Sequence, residues 1–419
     1  MSAEQSSIQA VTSLDVTLGT VAVGTLVRTP GDYNAFSFSQ SYRALAEPPV
    51  LSLSFRALDG GLRKDAKPEH GLLPAFFANL LPEEKLREAM ERHHAEAVRP
   101  GNDFDLLAAL GQDLPGAARV SPDGGNAVSE RALKAAGKAR FSLAGVQMKL
   151  SVIKNTGKRG GITLPVGNAD GDYIAKFPSL NLTGLSENEF AMLALCEKLG
   201  MDVPERELVD REQFEGIPPE FNTQAKGRVL LVRRFDRSKT GRVHIEDFAQ
   251  VFGLQPRLKY TGASSHNIAD VLNRAASFEA AIEFVKRLAL AAVTGNGDMH
   301  LKNWSVIYRG DGRKPELAPV YDVLSTIAYL PNDELALSLG GTKSFKALTQ
   351  DRWRNFANRA RLPEGAVLNA VVETAAAIHD VWPNLPERDV VPKPVLELID
   401  KHMAAMMAVL DPTVAGKRR

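Results

Sequence analysis

Apolar and polar residues alternate through the first part of the chain. "DVTLGTVAVGTLV" (15–27) and "PPVLSLSF" (48–55) have the period of two and the β-branched content of strands, with "RTPGDYN" (28–34) as a turn. The period then becomes helical in "LLPAFFANLLPEEKLREAMERHH" (72–94), and "DFDLLAALGQDLPGAARV" follows at 103–120. Residues 1–125 therefore read as an N-terminal α+β domain. The polar, basic and glycine-containing stretch 121–140 reads as a linker. From residue 141 strands return in "FSL", "KLSVI", "ITLPV" and "YIAKFP", with a turn at "KNTGKRGG". "SENEFAMLALCEKLG" predicts a helix. Met192, Leu195, Cys196 and Leu199 form its apolar stripe, Ser186 and Glu189 a capping box at its start, and Gly200 its C-terminal stop. Beyond the strand "RVLLVRRFDR" the chain is largely helical to about residue 410, interrupted by one hairpin. This divides the remainder into regions 126–255 and 256–419.

Composition adds limits. With 419 residues the chain is long enough for two or three domains, and 44% hydrophobic residues supply a sizeable core. Lys plus Arg number 51 against 50 Asp plus Glu, so net charge does not announce a nucleic-acid binder, although a local basic patch is compatible with it. The single cysteine, Cys196, excludes an internal disulfide framework. The start has neither a basic nor an apolar leader region, and no run approaches a membrane span. The expectation is a soluble, cytoplasmic protein without membrane attachment.

The hairpin carries the chemistry. "GNGDMHLKNWSVI" (295–307) crowds Asp298, His300, Lys302 and Asn303 into six residues. "WSVIYR" (304–309) and "ELAPVY" (316–321) flank the turn "GDGRKP". A pairing centred between Gly312 and Arg313 sets Asn303 beside Asp322 at the open end of the hairpin, next to Asp298. Two oxygen donors plus a carboxylate five residues before the first suit phosphoryl transfer. Mg²⁺ takes hard oxygen ligands, and the third group orients or deprotonates the attacking hydroxyl. Turn-capping side chains are the plainer alternative. Ala144 to Lys149 reads either as an ordinary β-turn or as a phosphate-covering loop. Lys176, inside an apolar strand, is either an edge-strand lysine with a snorkelling stem or a phosphate contact. Glu189, assigned to the cap, is also placed to pair with it. No His/Cys cluster suggests zinc.

Taken in order, "LLPAFFANLLPE", "DFDLLAALGQDLPGA", "FSLAGVQMKLSV", "YIAKFP", "SENEFAMLALCEKLGMDVPE", "LVRRFDR", "GDMHLKN" and "YDVLS" resemble the HipA family of serine/threonine-protein kinase toxins. The resemblance runs from about residue 14 to about residue 400. It implies a protein-kinase-like bilobal core, with a β-rich N-lobe and a mainly helical C-lobe, behind an appended N-terminal α+β domain. It implies Asp298 as catalytic base, Asn303 and Asp322 as Mg²⁺ ligands, and ATP as phosphate donor. The ATP-phosphate loop would be Ala144, Gly145, Val146, Gln147, Met148 and Lys149, with Lys176 as the phosphate-contacting lysine. Arg233, Arg234 and Phe235 would form the adenine hinge, and His300, Leu301, Lys302, Asn303 and Tyr321 would line the nucleotide site. Ser142, otherwise a strand serine, matches the position of autophosphorylation that switches such kinases off. Val146 and Met148 stand where relatives often carry smaller or acidic residues, and Arg233 stands where a relative has an acidic one.

The family implies further a small helix-turn-helix antitoxin resembling HipB, operator DNA bound through that complex, and a protein substrate such as an aminoacyl-tRNA synthetase. Arg359 and Arg361, in the basic segment "DRWRNFANRARLP" (351–363), align roughly with the DNA-touching region, although a solvated helix face is the plainer and preferred reading of them. Two rival readings remain: a small-molecule or lipid kinase on the same core, and a catalytically idle corepressor partner.

Overall fold

Leu14, Val16 and Leu18 alternate inward along the first strand and share one core with Phe36, Phe76, Phe77, Leu106 and Leu107. The computed structural model describes residues 11–57, 60–63, 68–123, 147–155, 161–165, 170–217 and 225–410. In the N-terminal part, strands β1 (Ser13–Leu18), β2 (Val21–Thr29), β3 (Tyr33–Phe38), β4 (Glu69–His70) and β5 (Ala118–Pro122) form one sheet in the order β4-β3-β2-β1-β5. The helical stretch breaks around Pro82 into Ala75–Ala78 and Glu84–His93. "PPVLSLSF" is not a strand: Leu53–Phe55 is a 3₁₀ turn. Its polar groups find a carboxylate instead of a neighbouring strand, with Ser52 Oγ donating to Glu246 Oε2 at 2.6 Å and the Leu53 N–H donating to Glu246 Oε1 at 3.0 Å.

The second sheet holds β6 (Lys149–Lys154), β7 (Ile162–Thr163), β8 (Tyr173–Lys176), β9 (Arg206–Val209), β10 (Phe214–Glu215) and β11 (Val229–Arg233), in the order β10-β7-β6-β8-β11-β9. The two-residue period of β11 divides its side chains between two cores. Val229 and Leu231 join the N-terminal domain, whereas Leu230 and Val232 join the helical part. Strand β8 is interior, so Lys176 is not an edge-strand lysine. The helix Leu185–Lys198 lies over the second face, with Met192, Leu195 and Cys196 buried as expected. Burial pushes the Cys196 thiol up to about 12, so it is a core residue and not a nucleophile. The predicted capping box does not form. Gly184, at φ +72°, is the N-cap, and an added Cβ there would stand 2.4 Å from Pro392, so Ser186 and Glu189 fall inside the helix and are buried.

A short hairpin of β12 (Arg237–Ser238) and β13 (Gly241–Arg242) leads to the third sheet, β14 (His244–Asp247), β15 (Ser305–Tyr308) and β16 (Glu316–Leu317). Because β14 pairs with β15, residues from His244 onward stand with the C-lobe, although the pattern of the sequence grouped them with the N-lobe region up to 255. The helices Phe278–Thr294, Gln350–Ala360, Glu364–Val381 and Lys393–Leu410 complete this lobe. Among the described residues no helix is long and apolar enough to cross a membrane.

Glu246, which ties the 3₁₀ turn to the C-lobe, is fully buried and also accepts from the Tyr308 hydroxyl. Burial pushes its pKa from 4.5 up to about 7, against the hydrogen bonds it receives. Between those values the folded protein holds a proton that the unfolded chain releases. Stability from this group is therefore present below pH 4.5 and is lost as pH rises through 7. Glu246→Gln removes that dependence. Denaturant unfolding should show wild type losing about 3 kcal/mol relative to the variant between pH 4.5 and 7, and a difference that stays constant with pH would contradict this.

Candidate active site

The polar stretch 296–303 starts where a helix must stop. Ser277 caps the helix Phe278–Thr294 at its N-terminus, and Gly295 ends it at φ +68°, where a Cβ would meet Ile327 at 2.6 Å. The chain then folds on its own polar groups. The Asp298 N–H donates to Asn296 Oδ1 at 3.1 Å, the His300 N–H to the Asp298 carbonyl at 2.8 Å, and the Asn303 N–H to the His300 carbonyl at 2.9 Å. Asn303 Nδ2 donates to the Asp298 carbonyl at 2.7 Å, which turns its Oδ1 the other way, with no hydrogen bond to it among the described residues. Asp298 is half-exposed, and its Oδ1 accepts from the Tyr260 hydroxyl at 2.7 Å. Partial desolvation raises its pKa above the usual carboxylate value, with the Tyr260 hydroxyl opposing.

Opposite this loop lies a lysine pair from the second sheet. The register of β6 with β8 sets Lys149 directly against Lys176. Lys149 Nζ donates to Asp322 Oδ2 at 2.8 Å, and Lys176 Nζ lies between Asp322 Oδ1 and Glu189 Oε1. Burial works against the charge of Lys176, but Asp322 and Glu189 outweigh it and hold its pKa above the ordinary lysine value. In the same way Lys149 and Lys176 overcome burial and hold Asp322 well below the carboxylate range. Both partners are therefore charged at neutral pH. Glu189 thus serves the lysine and not a helix cap.

The hairpin that was expected to align Asn303 with Asp322 is shorter and shifted. It pairs only Val306 with Leu317 and Ile307 with Glu316, a register that sets Asn303 opposite Val320. Asp322, at φ +53°, is placed by the two lysines and by its neighbour Tyr321, whose hydroxyl bridges Ser305 Oγ at 2.5 Å and the Lys302 carbonyl at 3.0 Å. Tyr321 also packs on Phe235, with ring centroids 5.6 Å apart.

Several predicted nucleotide-lining side chains are committed elsewhere. Leu301 is fully buried in the C-lobe core, and Lys302 Nζ is held by Glu83 and the Asn79 carbonyl. His300 is buried and neutral, its pKa pushed down to about 3 by burial and by Lys259 and Lys302. At the hinge the backbone N–H groups of Arg233 and Arg234 already bond to the carbonyls of Glu205 and Asp172. The Arg234 side chain is buried against Asp113 and Asp236. Gln147 Nε2 donates to the Phe177 carbonyl at 2.8 Å, and Met148 packs on the N-terminal core. Ser142, Ala144, Gly145 and Val146 lie outside the described residues, as does most of the linker. Arg359 is exposed, whereas Arg361 forms a two-pronged pair with Asp270 at 2.9 and 2.7 Å. Sequence reasoning missed Tyr260 and Glu83. It also missed Lys149 as the partner of Lys176, for which the signal was a lysine opening an otherwise apolar strand.

Among the described residues no three His, Cys, Asp or Glu side chains cluster as a metal site. Asn303 Oδ1 and the Asp322 carboxylate are hard oxygens, the donor chemistry that Mg²⁺ takes.

A β-rich lobe with a buried lysine–glutamate pair and a helical lobe whose loop carries an aspartate and an asparagine five residues apart make a kinase-like bilobal fold. The chain belongs to the HipA family: residues 14–121 match the model of the HipA N-terminal domain and residues 141–382 that of the HipA-like C-terminal domain. It is 41% identical to the kinase-named protein Y4dM of Sinorhizobium fredii, over 94% of this chain and 96% of that protein. It is 27% identical to the serine/threonine-protein kinase toxin HipA of Shewanella oneidensis, over 75% and 78% of the two chains. A chain in the Shewanella oneidensis complex of HipA, HipB and operator DNA shares the fold, with a TM-score of 0.72, 23% identity and coverage of 96% of this chain and 97% of that one.

Proposed function

We propose that this protein is a serine/threonine-protein kinase toxin that transfers the γ-phosphate of ATP to a protein hydroxyl. The observation that carries the reading is Lys176, buried between Glu189 and Asp322, with Asp298 close enough to feel the charges of Asp322 and Lys149. Lys176 and Lys149 bring two ammonium groups to the place where phosphate oxygens would replace the carboxylate of Asp322. Asp298 accepts the proton of the substrate hydroxyl as its oxygen bonds to the γ-phosphorus and ADP departs. Mg²⁺, held by Asn303 and Asp322, would supply neutralising charge to the phosphates.

Ser142 is the proposed site of autophosphorylation. A phosphoserine beside the phosphate loop repels the polyphosphate of ATP and switches the enzyme off. A helix-turn-helix antitoxin like HipB is the proposed partner, through which Arg359 comes near operator DNA; Arg361 is tied to Asp270 and is the weaker DNA contact. The proposed substrate class is a translation factor such as an aminoacyl-tRNA synthetase.

The test is incubation with labelled ATP and Mg²⁺, followed by mass spectrometry. Phosphate should appear on protein serine or threonine, including Ser142, and the Ser142-phosphorylated fraction should bind ATP poorly. Label transferred only to a metabolite or lipid, or no transfer at all, would contradict the reading.

A further inference from the structure

The appended N-terminal domain touches the catalytic loop through the Glu83 carboxylate and the Asn79 carbonyl. Glu83 stands at the N-terminal end of the helix Glu84–His93. Its Oε2 accepts from Lys259 Nζ at 2.6 Å and its Oε1 from Lys302 Nζ at 2.5 Å. All three side chains are largely buried, with exposures of 17% for Glu83, 12% for Lys259 and 8% for Lys302. Lys302 also donates to the Asn79 carbonyl at 3.2 Å, and Asn79 Nδ2 to the Leu254 carbonyl at 2.8 Å. Burial opposes the charge of Glu83, but Lys302 and Lys259 hold its pKa below the usual value, so it is ionised. Solvent-exposed pairs of this kind contribute little, but a desolvated one tolerates little displacement.

Both lysines lead to Asp298. The Lys259 carbonyl accepts from the Leu301 N–H at 3.1 Å, and the next residue, Tyr260, donates its hydroxyl to Asp298 Oδ1. Lys302 immediately precedes Asn303, whose amide holds the Asp298 carbonyl. One carboxylate therefore fixes the two segments that grip the aspartate from its side chain and from its backbone.

We propose that Glu83 is a positioning residue, supplied by the N-terminal domain, that sets the orientation of Asp298 through Lys259 and Lys302. The inference rests on the kinase reading of the site. It gives the N-terminal domain a part in turnover beyond its share of the core.

The test compares wild type with Glu83→Gln, Glu83→Asp, Lys302→Met and the Glu83→Gln/Lys302→Met double variant in the full chain. It measures phosphate transfer, ATP affinity by calorimetry, and melting temperature. Glu83→Gln should lower kcat by about 10- to 100-fold, the range expected for a slight misplacement of a catalytic group, with ATP affinity unchanged. Glu83→Asp keeps the charge, folds as wild type does, and should fall between the two. The double variant removes the unpaired ammonium of Lys302, so its melting temperature should recover towards wild type while kcat stays low and no lower than in the worse single variant. Recovery of kcat together with melting temperature would overturn the inference, as would a Glu83→Gln variant that loses ATP affinity in proportion to rate. Asp298→Asn separates the two claims. If it is inactive while Glu83→Gln is fully active, this inference alone fails; if it turns over like wild type, Asp298 is not the base and the inference falls with that assignment. Absence of transfer by wild type itself would end the kinase reading.

Discussion

Asp298→Asn and Asp322→Ala should each reduce Mg²⁺-dependent phosphate transfer by roughly 10³-fold or more, the loss that follows when a base or metal ligand is removed from the transition state. Their stabilities should differ. Asp298 is half-exposed and its carboxylate takes one side-chain hydrogen bond, from Tyr260, so the amide should melt like wild type. Asp322 neutralises two buried ammonium groups, and its loss leaves Lys149 without its carboxylate. A lower melting temperature is expected for Asp322→Ala alone. Label incorporation at the wild-type rate in either variant, read by autoradiography of the folded protein, would remove that residue from the mechanism.

Lys176→Met should remove most of the ATP affinity and also destabilise the fold. From sequence it reads either as an edge-strand lysine or as a phosphate contact, and as the latter its loss would cost nucleotide affinity much more than stability. Its position between Glu189 and Asp322 changes that expectation. Glu189 is only 2% exposed, and burial already pushes its pKa up. Deprived of Lys176 it must take up a proton or remain charged without its partner. Breaking a buried pair in this way costs about 3–5 kcal/mol. Lys176→Met/Glu189→Leu removes both charges and should regain much of the stability without regaining ATP binding. Calorimetry and thermal melts of the two variants measure these effects separately. ATP binding unaltered in Lys176→Met would end the phosphate-contact role whatever the melting temperature.

What the sequence determined by itself was local. The alternation of β1 specified which side chains turn inward, because a strand reverses its faces at every residue. The stop at Gly295 was legible, as was the five-residue spacing of Asp298 and Asn303 that marks the loop as a candidate site, because both are written in adjacent positions. The order of the motifs was enough to identify the family and the bilobal fold.

The errors arose where a polar group had two possible partners and only one lay nearby in sequence. Ser186 and Glu189 have capping-box spacing, but the real partner of Glu189 is Lys176 on a strand. "PPVLSLSF" has strand composition, but Glu246 lies 194 residues from Ser52 and takes its hydrogen bonds. Lys302 sits beside Asn303 in the candidate loop, yet its ammonium is held by Glu83, 219 residues away. Lys149 and Asp322 meet across 173 residues. Periodicity reports whether a position faces a core or water, but not which charge waits on another element. A buried charge must be paired, and that choice of partner belongs to the packed chain alone.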